Sequence, residues 1–242
     1  LYTPLDRHQA DELRPMVAAA NGLQMLTGAN EWLWRPVSNR ESLQFSSFVD
    51  GNPKGFGALV RDRNIADYQD DDQHFERRPS LWIEPLGEWG PGAIQLVEIP
   101  SESENNENIV AYWRPMTPLL AGLATTFAYR QFWCWEPPAR PPLAIATESR
   151  SGRVSGGKHR RFLVVFSGDV LADAGRTANL TAALVTSPGA ATNVRTFLNP
   201  AAKNCRVVFD IDPAAENFCE MRLVLKSGEQ AISETWLYRW TP

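Results

Sequence analysis

The sequence predicts an all-β protein with two sandwich domains, and three observations support this fold class. Short runs rich in β-branched and aromatic residues recur along the chain, separated by Gly, Pro and Asn. Helical periodicity is weak. A proline-rich segment at 137–142 divides two stretches of different composition, and neither a helix nor a central strand tolerates such a segment. With 242 residues, the chain is long enough for two domains that each bury a core.

The first half contains six predicted strands and little helix. One or two helical turns are expected at His8–Leu13 and at Asn64–Phe75. The predicted strands are Leu43–Phe48, Gly55–Val60, Ser80–Glu84, Gly92–Ile99, Ile109–Trp113 and Leu123–Trp135.

The second half has six further predicted strands, spaced as in a small immunoglobulin-like sandwich of about 100 residues. We therefore expect residues 1–138 and 143–242 to form separate domains, with 137–142 as the linker. The predicted strands are Arg161–Ser167, Thr177–Thr186, Val194–Leu198, Cys205–Ile211, Phe218–Lys226 and Ala231–Trp240.

Composition and charge exclude several functional classes. The net charge is −4, so there is no basic excess for binding a nucleic-acid backbone. Residues 1–140 carry 12 basic and 19 acidic side chains, and residues 141–242 carry 12 and 9. The longest weakly polar stretch, Leu119–Tyr129, is too short to span a bilayer. Three scattered histidines give no zinc-type spacing, and we expect no metal and no cofactor. The chain begins at Leu1 without a signal sequence, as expected of a processed product or a fragment.

The three cysteines leave two interpretations open. Cys205 and Cys219 lie on consecutive predicted strands, roughly symmetric about Asp212–Ala215. In a hairpin they would come close enough for a disulfide, and otherwise they are two small buried residues. Cys134, between two tryptophans, is expected to be a buried free thiol.

An acidic segment, Glu98–Asn108, separates two apolar strands and allows three interpretations. It could be a solvated loop, or a calcium site, although the glycine-containing EF-hand spacing is absent. It could also carry glycosidic chemistry, in which a protonated carboxylic acid donates to the leaving oxygen. Carboxylates this close in sequence would raise one another's pKa, as a general acid requires.

Aromatic and arginine residues upstream favour the sugar interpretation. Flat aromatic faces can stack on pyranose rings and guanidinium groups can bind hydroxyls. The alternative is that most of these rings form the sandwich core. The aromatic residues are Trp32, Trp34, Tyr68, Phe75, Trp82, Trp89, Tyr112 and Trp113, and the arginines are Arg35, Arg63, Arg77 and Arg78.

Several stretches together resemble one known family. They are Asn52–Gly57, Arg61–Arg63, Tyr68–Asp70, Glu76–Pro85, Gly87–Gly90, Leu96–Pro100, Asn108–Trp113 and Ser233–Tyr238. With them the chain resembles the OpgG/OpgD (MdoG) family of periplasmic glucan biosynthesis proteins, densely from about residue 10 to 135 and more loosely beyond. The resemblance implies a periplasmic protein of Gram-negative bacteria, with a large carbohydrate-binding β-sandwich followed by an immunoglobulin-like domain. Residues 1–138 would be the C-terminal part of the large sandwich.

The same resemblance implies action on osmoregulated glucans with a β-1,2-linked backbone. Some members are inverting endo-β-1,2-glucanases or transglycosylases that use two Asp residues as acid and base. Here Glu107 stands where the family's acidic loop has its last Asp, in the run Glu104–Asn108. A family run like His-Asp-Ser-Asp-Gly-Leu, which supplies the base or its relay, is here Ala18–Leu23 and contains no carboxylate. A relay through Asp11, Glu12 or Glu31 is the alternative.

Two functions follow from the resemblance. In the first, the protein is a glucanase or transglycosylase with Glu107 as general acid and Glu104 as its electrostatic partner. In the second, it is a non-catalytic factor that binds glucan, because the base is missing. The expected partners are a β-1,2-glucan chain and no nucleic acid, with docking to a membrane glucan synthase and homodimer formation left open. The expected substrate-binding residues are Trp34, Arg35, Tyr68, Arg78, Trp82, Trp89 and Trp113.

Overall fold

A computed structural model describes residues 2–3, 20–68, 74–102, 106–138, 141–154, 159–212 and 217–241. Strands make up 55% of it and helix 7%, which confirms the predicted all-β sandwich class. The chain folds as two compact units. The first comprises Leu1–Trp32 and Pro36–Ala139, and the second comprises Leu33–Arg35 and Arg140–Pro242.

The first unit contains two antiparallel sheets. One has the strand order β1-β8-β7-β4, and the other has the order β2-β5-β6-β9. The elements up to the unit boundary are β1 (Tyr2–Thr3), β2 (Gly22–Leu26), β3 (Trp32–Pro36), β4 (Gln44–Asp50), β5 (Gly55–Leu59), α1 (Ile65–Tyr68), a 3₁₀ turn (Phe75–Arg77), β6 (Ser80–Leu86), β7 (Gly92–Glu98), β8 (Ile109–Pro115) and β9 (Ala128–Cys134).

The core of the first unit includes a tryptophan pair. Trp32 and Trp82 stack with ring centroids 6.0 Å apart, and Trp82 lies directly against Gly55. A Cβ on Gly55 would lie 2.7 Å from Trp82 Cε2, so only glycine fits beside this ring. A small apolar cavity between the two sheets is lined by residues of both, including Leu23 and Leu96.

The second unit also contains two sheets. One has the order β10-β11-β14-β13, and in the other β15 lies between β12 and β17. Leu33 and Trp34 pair with β17 in parallel, which explains why Leu33–Arg35 belong to this unit. The elements are β10 (Ile145–Arg153), β11 (Arg160–Ser167), a 3₁₀ turn (Asp169–Ala172), α2 (Ala174–Thr177), β12 (Leu180–Ser187), β13 (Ala190–Asn199), β14 (Asn204–Asp212), β15 (Cys219–Ser227), β16 (Gln230–Ala231) and β17 (Thr235–Trp240).

Some element predictions were wrong in detail. Strands β1, β2, β3 and β10 were missed. Strands β2 and β3 are mostly buried and lack alternation, whereas β10 is largely exposed and polar. The run predicted from Leu123 becomes strand only at Ala128. In the predicted helix Asn64–Phe75, Ile65–Tyr68 form α1 and Phe75 begins the Phe75–Arg77 turn, whereas 69–73 and the predicted turn His8–Leu13 lie outside the described residues.

The predicted cysteine hairpin is also wrong. Cys205 is on β14, which pairs with β11 and β13, whereas Cys219 is on β15, which pairs with β12, β16 and β17. The two cysteines therefore lie in different sheets from each other, and both are free and buried. Cys134 is free as expected, but only half-buried.

Candidate functional site

The acidic loop connects the end of β7 to the start of β8 and is closed at its base. The Ile99 N–H donates to the Asn108 carbonyl oxygen over 2.9 Å. In return, Asn108 Nδ2 donates to the Ile99 carbonyl oxygen over 2.8 Å. Asn108 is itself buried, so the loop leaves and rejoins the sheet at a fixed point.

Glu107 lies exposed beside this closed base, between Asn106 and Asn108. Asn106 Nδ2 donates to Ser101 Oγ over 3.0 Å, so both neighbours of Glu107 bond back to the opposite leg of the loop. Glu104, the expected partner of Glu107, lies outside the described residues.

The loop is also held from outside by residues that the sequence analysis did not single out. Glu98 is buried, and its Oε1 accepts from the Ser38 N–H at 2.6 Å and from the Ser38 hydroxyl at 3.1 Å. Asn39 Nδ2 donates to the Ser101 carbonyl oxygen at 2.7 Å, and the Ser101 N–H donates to Asn39 Oδ1 at 3.2 Å. Hydrogen bonds between residues about 60 positions apart leave no local sequence pattern that could have revealed them.

Part of the run Ala18–Leu23, which contains no carboxylate, shares a cavity with the residue that follows the loop. Ala20 is buried and lines the apolar cavity together with Ile109, the residue that follows the loop. Asn21 Oδ1 accepts from the N–H groups of Arg61 and Asp62, the latter at 2.7 Å. Since an amide does not ionise near neutral pH, Ala20 and Asn21 provide no general base. Of the alternative relay residues, Asp11 and Glu12 lie outside the described residues.

Tyr68 is bonded to Asn21 and is not available for stacking. Tyr68 is 1% exposed. Its hydroxyl donates to the Asp62 carbonyl oxygen at 2.9 Å and accepts from Asn21 Nδ2 at 3.2 Å. Burial, together with the nearby Asp62 and Glu76 carboxylates, raises the pKa of Tyr68 to about 12. We call this group the Asn21–Tyr68 network.

The other expected binding residues are buried or half-buried. Trp34 and Arg35 are buried in the second unit, where the Arg35 guanidinium lies 5.5 Å from the Tyr238 ring centre. Trp82 is buried against Trp32 in the first unit. Arg78 is half-buried over the Phe75 ring. Strands covered on both faces bury every side chain, so an aromatic residue on such a strand belongs to the core.

Trp89 and Trp113 do come together, within a larger aromatic cluster that remains partly exposed. Their ring centroids are 6.1 Å apart. The backbone of Trp89 is fixed by Asn52 Oδ1, which accepts from its N–H at 2.9 Å. Tyr129 is 52% exposed. We define the Trp89 cluster as Phe56, Trp89, Trp113, Phe127 and Tyr129.

The cluster and the acidic loop lie at opposite ends of the β7–β8 hairpin. Gly92 pairs with Pro115 beside the cluster, and Glu98 pairs with Ile109 beside the loop. Six residues of extended strand span about 20 Å. The sequence analysis missed Phe127 and Tyr129, although both lie in the aromatic run that predicted a strand at this position.

Comparison with known proteins identifies the family of the chain. Residues 1–240 match the family described as periplasmic glucan biosynthesis protein, MdoG. The chain belongs to this family. It is 44% identical over its whole length to glucans biosynthesis protein G of Shewanella baltica (strain OS195) and 41% identical to that of Vibrio cholerae (strain M66-2). It is 43% identical over 98% of its length to glucans biosynthesis protein D of Stenotrophomonas maltophilia (strain K279a).

The chain spans less than half the length of these relatives, namely 44% of both G proteins and 46% of the D protein. The match over residues 1–240 confirms the family resemblance inferred from the sequence motifs, and the family has a role in glucan biosynthesis. No helix in the described part of the chain is long and apolar enough to cross a membrane.

Proposed function

We propose that this protein processes the β-1,2-glucan backbone in the periplasm as an endo-glucanase or transglycosylase, with Glu107 as general acid. The observation that carries the proposal is the position of Glu107, exposed on a loop that is tied down at its base and on its opposite leg. A general acid must reach the glycosidic oxygen and hold its direction during proton transfer. Glu104 remains the proposed electrostatic partner.

The mechanism also needs a proton acceptor besides Glu107. An inverting enzyme needs a second group that activates water on the opposite face of the sugar. Ala20 and Asn21, which lie where the family run would supply it, do not ionise near neutral pH. Hydrolysis would therefore use a different acceptor or proceed slowly.

The Trp89 cluster is the proposed binding surface for glucose units away from the cleaved bond. Apart from the buried Phe56, its rings are at least partly exposed and offer apolar faces. The distance of about 20 Å along the strands exceeds the length of a disaccharide. A substrate that contacts both ends must be a chain, which fits a glucan polymer. Trp34, Arg35, Tyr68 and Trp82 are less suited to substrate contact because they are buried.

The second candidate function is a factor that binds glucan without cleaving it. The absence of an ionisable group at Ala20 and Asn21 favours this alternative. In that case the protein would guide nascent glucan, and docking to a membrane glucan synthase would be its partner interaction. A homodimer is compatible with either function.

A titration of tryptophan fluorescence with linear β-1,2-glucan, followed by analysis of product size, separates the two functions. The natural full-length protein is compared with Glu107→Gln and with Glu229→Gln, an exposed acid in the second unit that serves as control. Shortened or cyclised products that disappear only in Glu107→Gln support the enzyme. A fluorescence change without products supports the binding factor. If neither products nor a fluorescence change are observed, both functions are refuted.

A further inference from the structure

Three consecutive residues after β3, which we call the bridge segment (37–39), connect two sides of the candidate site. The Val37 N–H donates to the Asn21 carbonyl oxygen over 3.1 Å. The next residue, Ser38, donates twice to the buried Glu98 carboxylate, where β7 ends. The bridge segment therefore binds Asn21, the residue before β2, at one end and the strand that leads into the acidic loop at the other.

Asn39 completes the bridge by holding the acidic loop itself. Its amide group donates to one backbone group of Ser101 and accepts from the other, at 2.7 and 3.2 Å. An asparagine side chain can do this because it carries a donor and an acceptor side by side, like a peptide group. Ser101 also accepts from Asn106, the neighbour of Glu107. Asn39 is thus connected to Glu107 through two residues.

The length of the bridge sets the spacing between these contacts. Val37 and Asn39 are two residues apart, so their Cα atoms are separated by at most about 7 Å. Such a short bridge, hydrogen-bonded at Val37, Ser38 and Asn39, keeps the end of β7 and the Ser101 leg of the acidic loop close to Asn21.

We propose that Asn39 is a positioning residue that, together with Ser38, holds the Glu107-bearing loop at a fixed distance from the Asn21–Tyr68 network. This inference rests on the function proposed above. Asn39 acts through Ser101 and Asn106 and is not assigned any contact with the glucan. Misplacing a catalytic group by about 1 Å can lower the rate about 10²-fold, so loss of the Asn39 contacts lowers kcat more than it raises KM.

The test compares Asn39→Ala, Asn39→Asp and the control Asn179→Ala, an exposed asparagine of the second unit, in the natural full-length protein. For Asn39→Ala we expect kcat to fall about 10- to 100-fold with little change in KM. Asn39→Asp keeps an acceptor for the Ser101 N–H and should retain part of the rate. In a Glu107→Gln background Asn39→Ala should cause no further loss, because both changes affect the same proton transfer.

Amide hydrogen exchange supplies a measurement that does not depend on turnover. In Asn39→Ala, exchange in the loop 98–108 should become faster while exchange in β5 stays as in the wild type. Faster loop exchange with a lower kcat supports the inference, whereas unchanged exchange or an unchanged kcat overturns it. A wild-type protein that cleaves no glucan would instead refute the proposed enzyme, and exchange alone would then decide whether Asn39 anchors the loop.

Discussion

Replacing Gly92 by Ala should disturb the Trp89 cluster and lower stability. A Cβ at Gly92 would lie 2.6 Å from Trp113 Cη2 and 2.5 Å from the Arg114 carbonyl oxygen. Since carbon atoms in contact are about 3.5–4.0 Å apart, the Trp113 ring must move by roughly 1 Å. Overpacking of this kind costs about 1–3 kcal/mol. For a protein of this size, that corresponds to a fall in Tm of about 2–12 °C.

The matched control is Gly51→Ala, where a Cβ meets no atom within 4 Å. Both substitutions reduce the conformational entropy of the unfolded chain, so this contribution cancels in the comparison. Thermal unfolding gives the two Tm values, and near-UV circular dichroism reports the coupling of Trp113 to Trp89. Equal Tm values and unchanged aromatic signals in both variants would show that Trp113 does not lie over Gly92.

Three further predictions concern titrating groups. The Arg161 hydrogen bonds at 2.7 and 2.9 Å lower the pKa of Asp210 to about 2, below its ordinary 3.8. This pair therefore stabilises the fold fully above about pH 4 and less as the pH falls towards 2. In Arg161→Gln, the urea concentration at the unfolding midpoint should change less between pH 4 and pH 2 than in the wild type. Burial raises the pKa of Tyr68 to about 12, so the contribution of its neutral hydroxyl is present below pH 10 and lost as the pH rises through 12. A spectrophotometric titration should show a tyrosine that ionises at about pH 12, and this transition should be absent in Tyr68→Phe. Burial raises the pKa of Cys205 to about 11, so Cys205 and Cys219 should resist alkylation until the protein unfolds, and then react without a reductant. A disulfide between them would contradict the strand arrangement.

The sequence predicts strands best where an apolar run is bounded by turn residues. The run predicted as Gly92–Ile99 is the strand Gly92–Glu98, and the run predicted as Ile109–Trp113 is the strand Ile109–Pro115, two residues longer than expected. The sequence prediction missed Trp32–Pro36, a five-residue run that ends in a proline and whose first four residues are all buried, so that no alternation marks it. The cysteine hairpin failed for a different reason, since consecutive strands of a sandwich often cross from one sheet to the other.

In the candidate site, features carried by neighbouring residues could be predicted, whereas contacts between residues far apart in the chain could not. The acidic loop could be found from its composition, and Glu107 is exposed in the structure, as access to a substrate requires. The contacts of Ser38 and Asn39 could not be found, because their partners lie about 60 residues further along the chain. Trp34 and Trp82 resemble stacking residues in sequence, but their burial depends on neighbouring strands that composition does not reveal.

The most direct test of the central claim is the initial rate of cleavage of linear β-1,2-glucan by the natural full-length protein, measured for wild type, Glu107→Gln and Glu107→Asp. General acid catalysis by Glu107 predicts a loss of about 10²–10⁴-fold in Glu107→Gln. Glu107→Asp retains a proton donor and should keep more of the rate. A Glu107→Gln variant that cleaves glucan as fast as the wild type would contradict the assignment of Glu107 as the acid.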